Sequence, residues 1–180
     1  DGFQNPSLAK DLSLLVVDAD YGFGNGRVCP AGPLRESIKN AASRAHAVIS
    51  LGGSLPGSDI NLPTFVGRTE ATANASDIHG KRVVAFAGIG RPEKFFNTLK
   101  TAGAKLAETI SFPDHHPFSN AEIENVLAKA KTQDSMAITT EKDFVRIPAA
   151  LRADIISFPV RLRWDQADAF EGFILERTGL

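Results

Sequence analysis

The chain has one cysteine in 180 residues. That excludes an internal disulfide and is compatible with a reducing compartment. Charge of neither sign predominates: 20 Lys and Arg stand against 21 Asp and Glu, a formal net charge of −1. Electrostatics therefore make no case for nucleic acid as a partner. No apolar run reaches the ~20 residues needed to span a bilayer. No internal repeat or low-complexity segment is present. The phosphate-cradling pattern G-x-x-x-x-G-K-[ST] does not occur. What remains is an ordinary globular composition, 43% hydrophobic and 23% charged, of a length suited to one domain or two small ones.

The most unusual stretch is Gly22 to Glu36, GFGNGRVCPAGPLRE. Gly22, Gly24 and Gly26 alternate with Phe23 and Asn25, and Pro30 and Pro33 follow. Glycine and proline disfavour helix interiors and regular strands alike. The apolar run Leu14-Leu15-Val16-Val17 precedes it and reads as a strand over 12–19, apolar on both faces and so central in a parallel sheet. Leu34, Ile38, Ala41, Ala42 and Ala45 recur at helical spacing after it. The spacing predicts a helix from Pro33 to Arg44, with Pro33 at the first helical position and Gly32 as its cap. That puts Arg35 in the first turn, where backbone N–H groups favour an anion. A surface loop with a solvated arginine is the plainer alternative.

Ala45 to Leu51 is a second buried strand, with His46 at its start read as structural. Residues 62–72 alternate like a strand that Pro63 demotes to an edge at its start. Residues 160–164 alternate too, and the two are expected to pair as a ribbon around the middle segment. Within it, the pattern gives strands at 82–86, 105–112, 135–139 and 155–158. Helices fall at 92–102 and 120–130, the second capped by Ser119 with Ile123, Val126, Leu127 and Ala130 as its apolar stripe. Residues 141–145 make one helical turn, and a last helix spans 166–177. Strands alternating with helices predict a small parallel α/β layer of Rossmann type.

Three strand-to-helix junctions in this layer carry polar groups. FPDHHPFS at 112–119 lies at the carboxyl end of a strand, where ligands gather in open α/β folds. By itself it also reads as a turn whose Asp114 bonds its own backbone, or as a metal site short of a third ligand. Gly88-Ile89-Gly90 lacks the third glycine of a dinucleotide fingerprint and reads as a tight turn. Thr140-Glu141-Lys142-Asp143 follows a strand in the same way, with Lys142 facing a cleft or solvent.

Five stretches taken in order carry a resemblance: DGFQN at 1–5, GFGNGRVCPAGPLRE at 22–36, GIGRPEKF at 88–95, FPDHHPFS at 112–119 and TEKDFVRI at 140–147. Together the chain resembles the tetraacyldisaccharide 4'-kinases, the lipid A 4'-kinases of Gram-negative bacteria, along essentially its whole length. The resemblance implies the C-terminal portion of such an enzyme, because the family's phosphate-binding loop precedes DGFQ. It implies residues 1–60 as the C-terminal part of a P-loop kinase domain and 61–80 as a linker strand. Residues 81–158 would be a small Rossmann-like α/β domain, and 159–180 a return strand and helix on the first part.

The implied reaction moves the γ-phosphoryl of ATP, with Mg²⁺, to the 4'-hydroxyl of the lipid A disaccharide precursor, at the cytoplasmic face of the inner membrane. By the same resemblance Asp1 would hold Mg²⁺. Gln4, Asn5 and Arg35 would contact the acceptor, with Asn5 standing where the family usually has histidine. His115, with Asp114 beside it, would orient or tune an aspartate base upstream, and is expected to be exposed. The chain alone is expected to be inactive and monomeric, with the membrane-anchoring surface in the missing half. The alternative is a non-catalytic nucleotide- or phosphate-binding α/β domain.

Overall fold

The computed structural model describes residues 2–7, 9–55, 60–72 and 78–179. Strand β1 (Leu14–Asp18), helix α1 (Ile38–Ala42), β2 (Ala47–Leu51) and β3 (Thr64–Ala71) come first. Then follow β4 (Arg82–Ala87), α2 (Pro92–Thr101), β5 (Lys105–Ser111), α3 (Asn120–Thr132), β6 (Met136–Thr140) and α4 (Glu141–Phe144). The chain ends with β7 (Ile155–Phe158), β8 (Val160–Trp164) and α5 (Ala167–Thr178). The fold is α/β with two four-stranded sheets, ordered β1-β2-β3-β8 and β5-β4-β6-β7, the second all parallel. It divides into two compact units, Asp1–Thr69 with Leu162–Leu180, and Glu70–Arg161. Both crossings between units fall within the β3 and β8 strands.

In the first unit β1, β2 and β3 run parallel. Strand β8 runs the other way along β3: Asp165 N–H donates to Val66 O and Thr72 N–H to Pro159 O. The two strands pair as expected, but within a four-stranded sheet in which β3 also pairs with β2, rather than as a separate two-stranded ribbon. The core is aromatic. Phe170 of α5 lies 4.9 Å from the Phe65 ring and 4.3 Å from Trp164, over Ala47 and Ile49.

Strand β1 ends the sheet order among the described residues, with Val16 59% exposed. One expectation fails in this unit. The helix does not begin at Pro33 but at Ile38, with Ser37 as its N-cap accepting from the Asn40 N–H at 3.2 Å. Residues 27–34 instead close on themselves through Cys29 N–H to Leu34 O and Leu34 N–H to Arg27 O, with a Val28–Leu34 bridge. Arg35 thus sits in the loop, outside the first turn of a helix only five residues long.

The second unit follows its pattern closely. Strand β4 is buried on both faces: Val83, Ala85 and Ala87 pack with Phe95, Phe96 and Leu99 of α2, while Val84 and Phe86 pack with Ile123 and Val126 of α3. That alternation is the period-2 rule applied to a strand with helices on both sides. Helix α3 opens with a capping box, Ser119 and Glu122 satisfying each other's backbone N–H.

Candidate functional site

In the first unit the site grows from the glycine loop. Gly22, Gly24 and Gly26 have φ of 54°, 61° and 70°, the left-handed region where glycine carries no side-chain penalty. Each closes a turn: Gly22 N–H to Asp18 O, Gly24 N–H to Tyr21 O, Gly26 N–H to Phe23 O. That succession of tight turns is the physical content of G-x-G-x-G here. Asn25 holds the loop's return, its Oδ1 accepting from Arg27 N–H at 3.1 Å and its Nδ2 donating to Ala31 O at 2.9 Å.

The loop delivers Arg35 and Glu36 beside Gln4, which lies on the 3-10 turn Gly2–Gln4. Arg35 Nη1 donates to Gln4 Oε1 at 3.4 Å, and Gln4 Nε2 donates to Glu36 Oε1 at 3.1 Å. Arg44 pairs with Glu36 and lies over the Phe3 ring, 5.1 Å from its centroid. Gln4, Arg35, Glu36, Asn40, Ser43 and Arg44 line an open cavity of about 590 Å³. Arg35 and Arg44 bring forked donors to this cavity beside the Glu36 carboxylate, chemistry suited to an anionic, hydroxyl-bearing ligand. Asn5 is not among the lining residues; its Oδ1 accepts from Ser7 N–H at 2.9 Å in a local turn. Asp1, the expected Mg²⁺ ligand, lies outside the described residues. Among the described residues no three His, Cys, Asp or Glu side chains come together as a metal site.

In the second unit the junctions after β4, β5 and β6 meet. His115 has φ 57° and a side chain 88% exposed, its ring 4.0 Å from Asp114. Its N–H donates to Gly88 O at 3.0 Å. His116 points elsewhere: it stacks on Phe112 at 5.0 Å, and its Nε2 lies 2.9 Å from Glu122 Oε1. The Ser119 backbone N–H and hydroxyl, then His116, hold the Glu122 carboxyl down at about 2. Of two adjacent histidines, one is packed into the structure and one is presented to solvent.

One cluster escaped the sequence reading, which had singled out Lys142. Asp143 is fully buried and accepts from Gly88 N–H at 3.0 Å and Thr140 Oγ1 at 2.8 Å, and it pairs with Arg146. Lys142 is exposed. The available signal was Thr140-x-x-Asp143, a cap pattern at the end of a buried strand, with Arg146 one turn on.

These features define a two-unit α/β protein whose polar groups gather on loops at strand carboxyl ends. The chain belongs to the tetraacyldisaccharide-1-P 4'-kinase (LpxK) family, whose sequence profile matches residues 1–179. It is 51% identical over 176 residues to the tetraacyldisaccharide 4'-kinase of Rhodospirillum centenum, covering 95% of this chain and 52% of that protein. It is also 51% identical over 170 residues to the enzyme of that name from Paramagnetospirillum magneticum, covering 92% and 52%. The chain thus spans about half the length of the curated relatives it matches. The crystal structure of LpxK from Aquifex aeolicus, in complex with ATP, shares the fold with a TM-score of 0.69 at 24% identity, over 99% of this chain and 56% of that one.

Proposed function

We propose that the chain is the C-terminal portion of an ATP-dependent kinase that phosphorylates the 4'-hydroxyl of the tetraacyldisaccharide 1-phosphate precursor of lipid A. On this reading residues 1–60 complete a P-loop kinase sheet, 61–80 link it to a small Rossmann-like domain at 81–158, and 159–180 return to the first part. The observation that carries it is the cavity ringed by Gln4, Arg35 and Arg44 in a chain of this family. Arg35 holds a phosphate of the acceptor through its fork, and Gln4, fixed between Arg35 and Glu36, bonds the sugar. Asn5 contributes at the edge.

His115, exposed and flanked by Asp114, orients an aspartate base supplied by the longer protein; a group so placed acts through general-base catalysis. ATP is the donor, a reading supported by the Aquifex aeolicus protein having been crystallised in complex with ATP. Mg²⁺ neutralises the phosphoryl oxygens when bound. The described residues alone do not form a site for it, so Asp1 and donors beyond them would have to hold it. No described helix is long and apolar enough to cross a membrane. The enzyme is proposed to act as a monomer at the cytoplasmic face of the inner membrane.

The test is transfer of label from γ-labelled ATP to the acceptor by the full-length protein. Labelled acceptor is expected. ATP binding without transfer would leave a nucleotide-binding module. The 180-residue chain, which has no G-x-x-x-x-G-K-[ST] loop, should transfer none.

A further inference from the structure

We infer that the ion pair between buried Asp143 and half-buried Arg146 is the positioning element for His115, fixing the backbone that presents its imidazole; the inference rests on the kinase reading above. The pair grips both polar groups of Gly88, Asp143 accepting from its N–H at 3.0 Å and Arg146 Nη2 donating to its carbonyl at 3.0 Å. That same carbonyl accepts the His115 N–H at 3.0 Å. Arg146 Nη1 reaches the His116 carbonyl at 3.4 Å. One guanidinium therefore holds two backbone carbonyls, one bonded to the His115 N–H and one belonging to the residue after it.

Three features favour positioning over simple stability. An ion pair whose carboxylate is fully buried is weak evidence for stability, since apolar residues of similar volume can do as well or better. A non-glycine residue at φ 57° persists only where its surroundings over-determine it. Gly88 completes the clasp from the other side: a Cβ there would lie 3.2 Å from Pro113 O and 3.3 Å from both His116 Cβ and Phe118 Cζ. The His115 loop rests on the Gly88 backbone with no space between. Capping of α4 alone needs only Thr140, whose hydroxyl accepts from Asp143 N–H.

The test uses two variants of the full-length protein. Arg146→Lys keeps the charge but cannot reproduce the fork. Gly88→Ala pushes the loop off without touching the ion pair. Amide hydrogen exchange at His115 and His116 is compared with that at Val84 and Ile138 in the sheet. The expected result is faster exchange at His115, about tenfold for one weakened hydrogen bond, with Val84 and Ile138 unchanged. The kcat for phosphate transfer falls roughly ten- to a hundredfold while both KM values hold.

Unchanged His115 exchange, equal acceleration at Val84 and Ile138, or loss of the whole fold in both variants would overturn the inference. If Arg146→Lys fails to fold, Asp143→Asn, which keeps an acceptor for the Gly88 N–H but removes the charge that holds Arg146, decides by the same readouts. If wild-type protein transfers no phosphate, the kinase reading fails while the exchange data still decide the positioning role.

Discussion

Replacing His115 by alanine and by glycine should separate stability from activity. The left-handed conformation costs an L-residue roughly 1–2 kcal/mol, and alanine at φ 57° keeps that strain. Glycine removes it, but its freer unfolded chain takes back roughly 0.5–1 kcal/mol. The imidazole is 88% exposed, so its own removal should change stability by no more than about 0.5 kcal/mol. The glycine variant should therefore be more stable than the alanine variant by about 1 kcal/mol. Urea unfolding followed by far-UV circular dichroism reads this as a shift in midpoint at constant slope. Both variants should lose kcat by on the order of 10²-fold in the full-length enzyme. A glycine variant no more stable than the alanine one would mean that the backbone is not held at this φ. Activity that rose and fell with stability would mean that the imidazole has no role of its own.

Other outcomes follow from the same geometry. The Glu122 carboxyl is held at about 2 in the folded protein against 4.5 for a free side chain. Its contribution is present above pH 4.5 and is lost as pH falls toward 2. Glu122→Gln should flatten the stability curve in that window and leave it parallel to wild type above it; identical curves would refute the assignment. Arg35→Ala should raise the acceptor KM more than the ATP KM, and Arg35→Lys should restore it only in part; a rise confined to ATP would assign Arg35 to the nucleotide. Phe170→Ala, which removes a buried ring packed on Phe65 and Trp164, should cost about 3–5 kcal/mol and red-shift Trp164 emission.

The second unit was legible because periodicity and helix-start signals agreed at α2 and α3, though the 3-10 turn Ala149–Asp154 was not foreseen. Pro92 and Ser119 marked helix starts, and Phe95, Phe96 and Leu99 recurred at the spacing that buries them. The first unit was less so. Gly32-Pro33 imitates a cap and first turn, whereas the working cap is Ser37, followed by Asn40 where a capping box would have Glu. The hydrophobic run of β1 gave the strand, whereas strand order depends on partners distant in sequence. The residue types DHH drew attention to this loop, yet the different settings of His115 and His116, one exposed at φ 57° and one packed against Phe112 and Glu122, needed the structure to be seen. The Asp143–Arg146 clasp was missed because its partners are backbone atoms of Gly88 and His116, which no side-chain pattern encodes.

Single-turnover phosphate transfer by the full-length protein tests the central claim most directly. Enzyme in excess over the tetraacyldisaccharide 1-phosphate, mixed with ATP, should place one new phosphomonoester at the 4' position, assigned by phosphorus NMR. The same reaction with His115→Ala should be slower by on the order of 10²-fold and give the same product. ATP consumed with no phosphate on the disaccharide, or a new phosphate at any other position, would contradict the account.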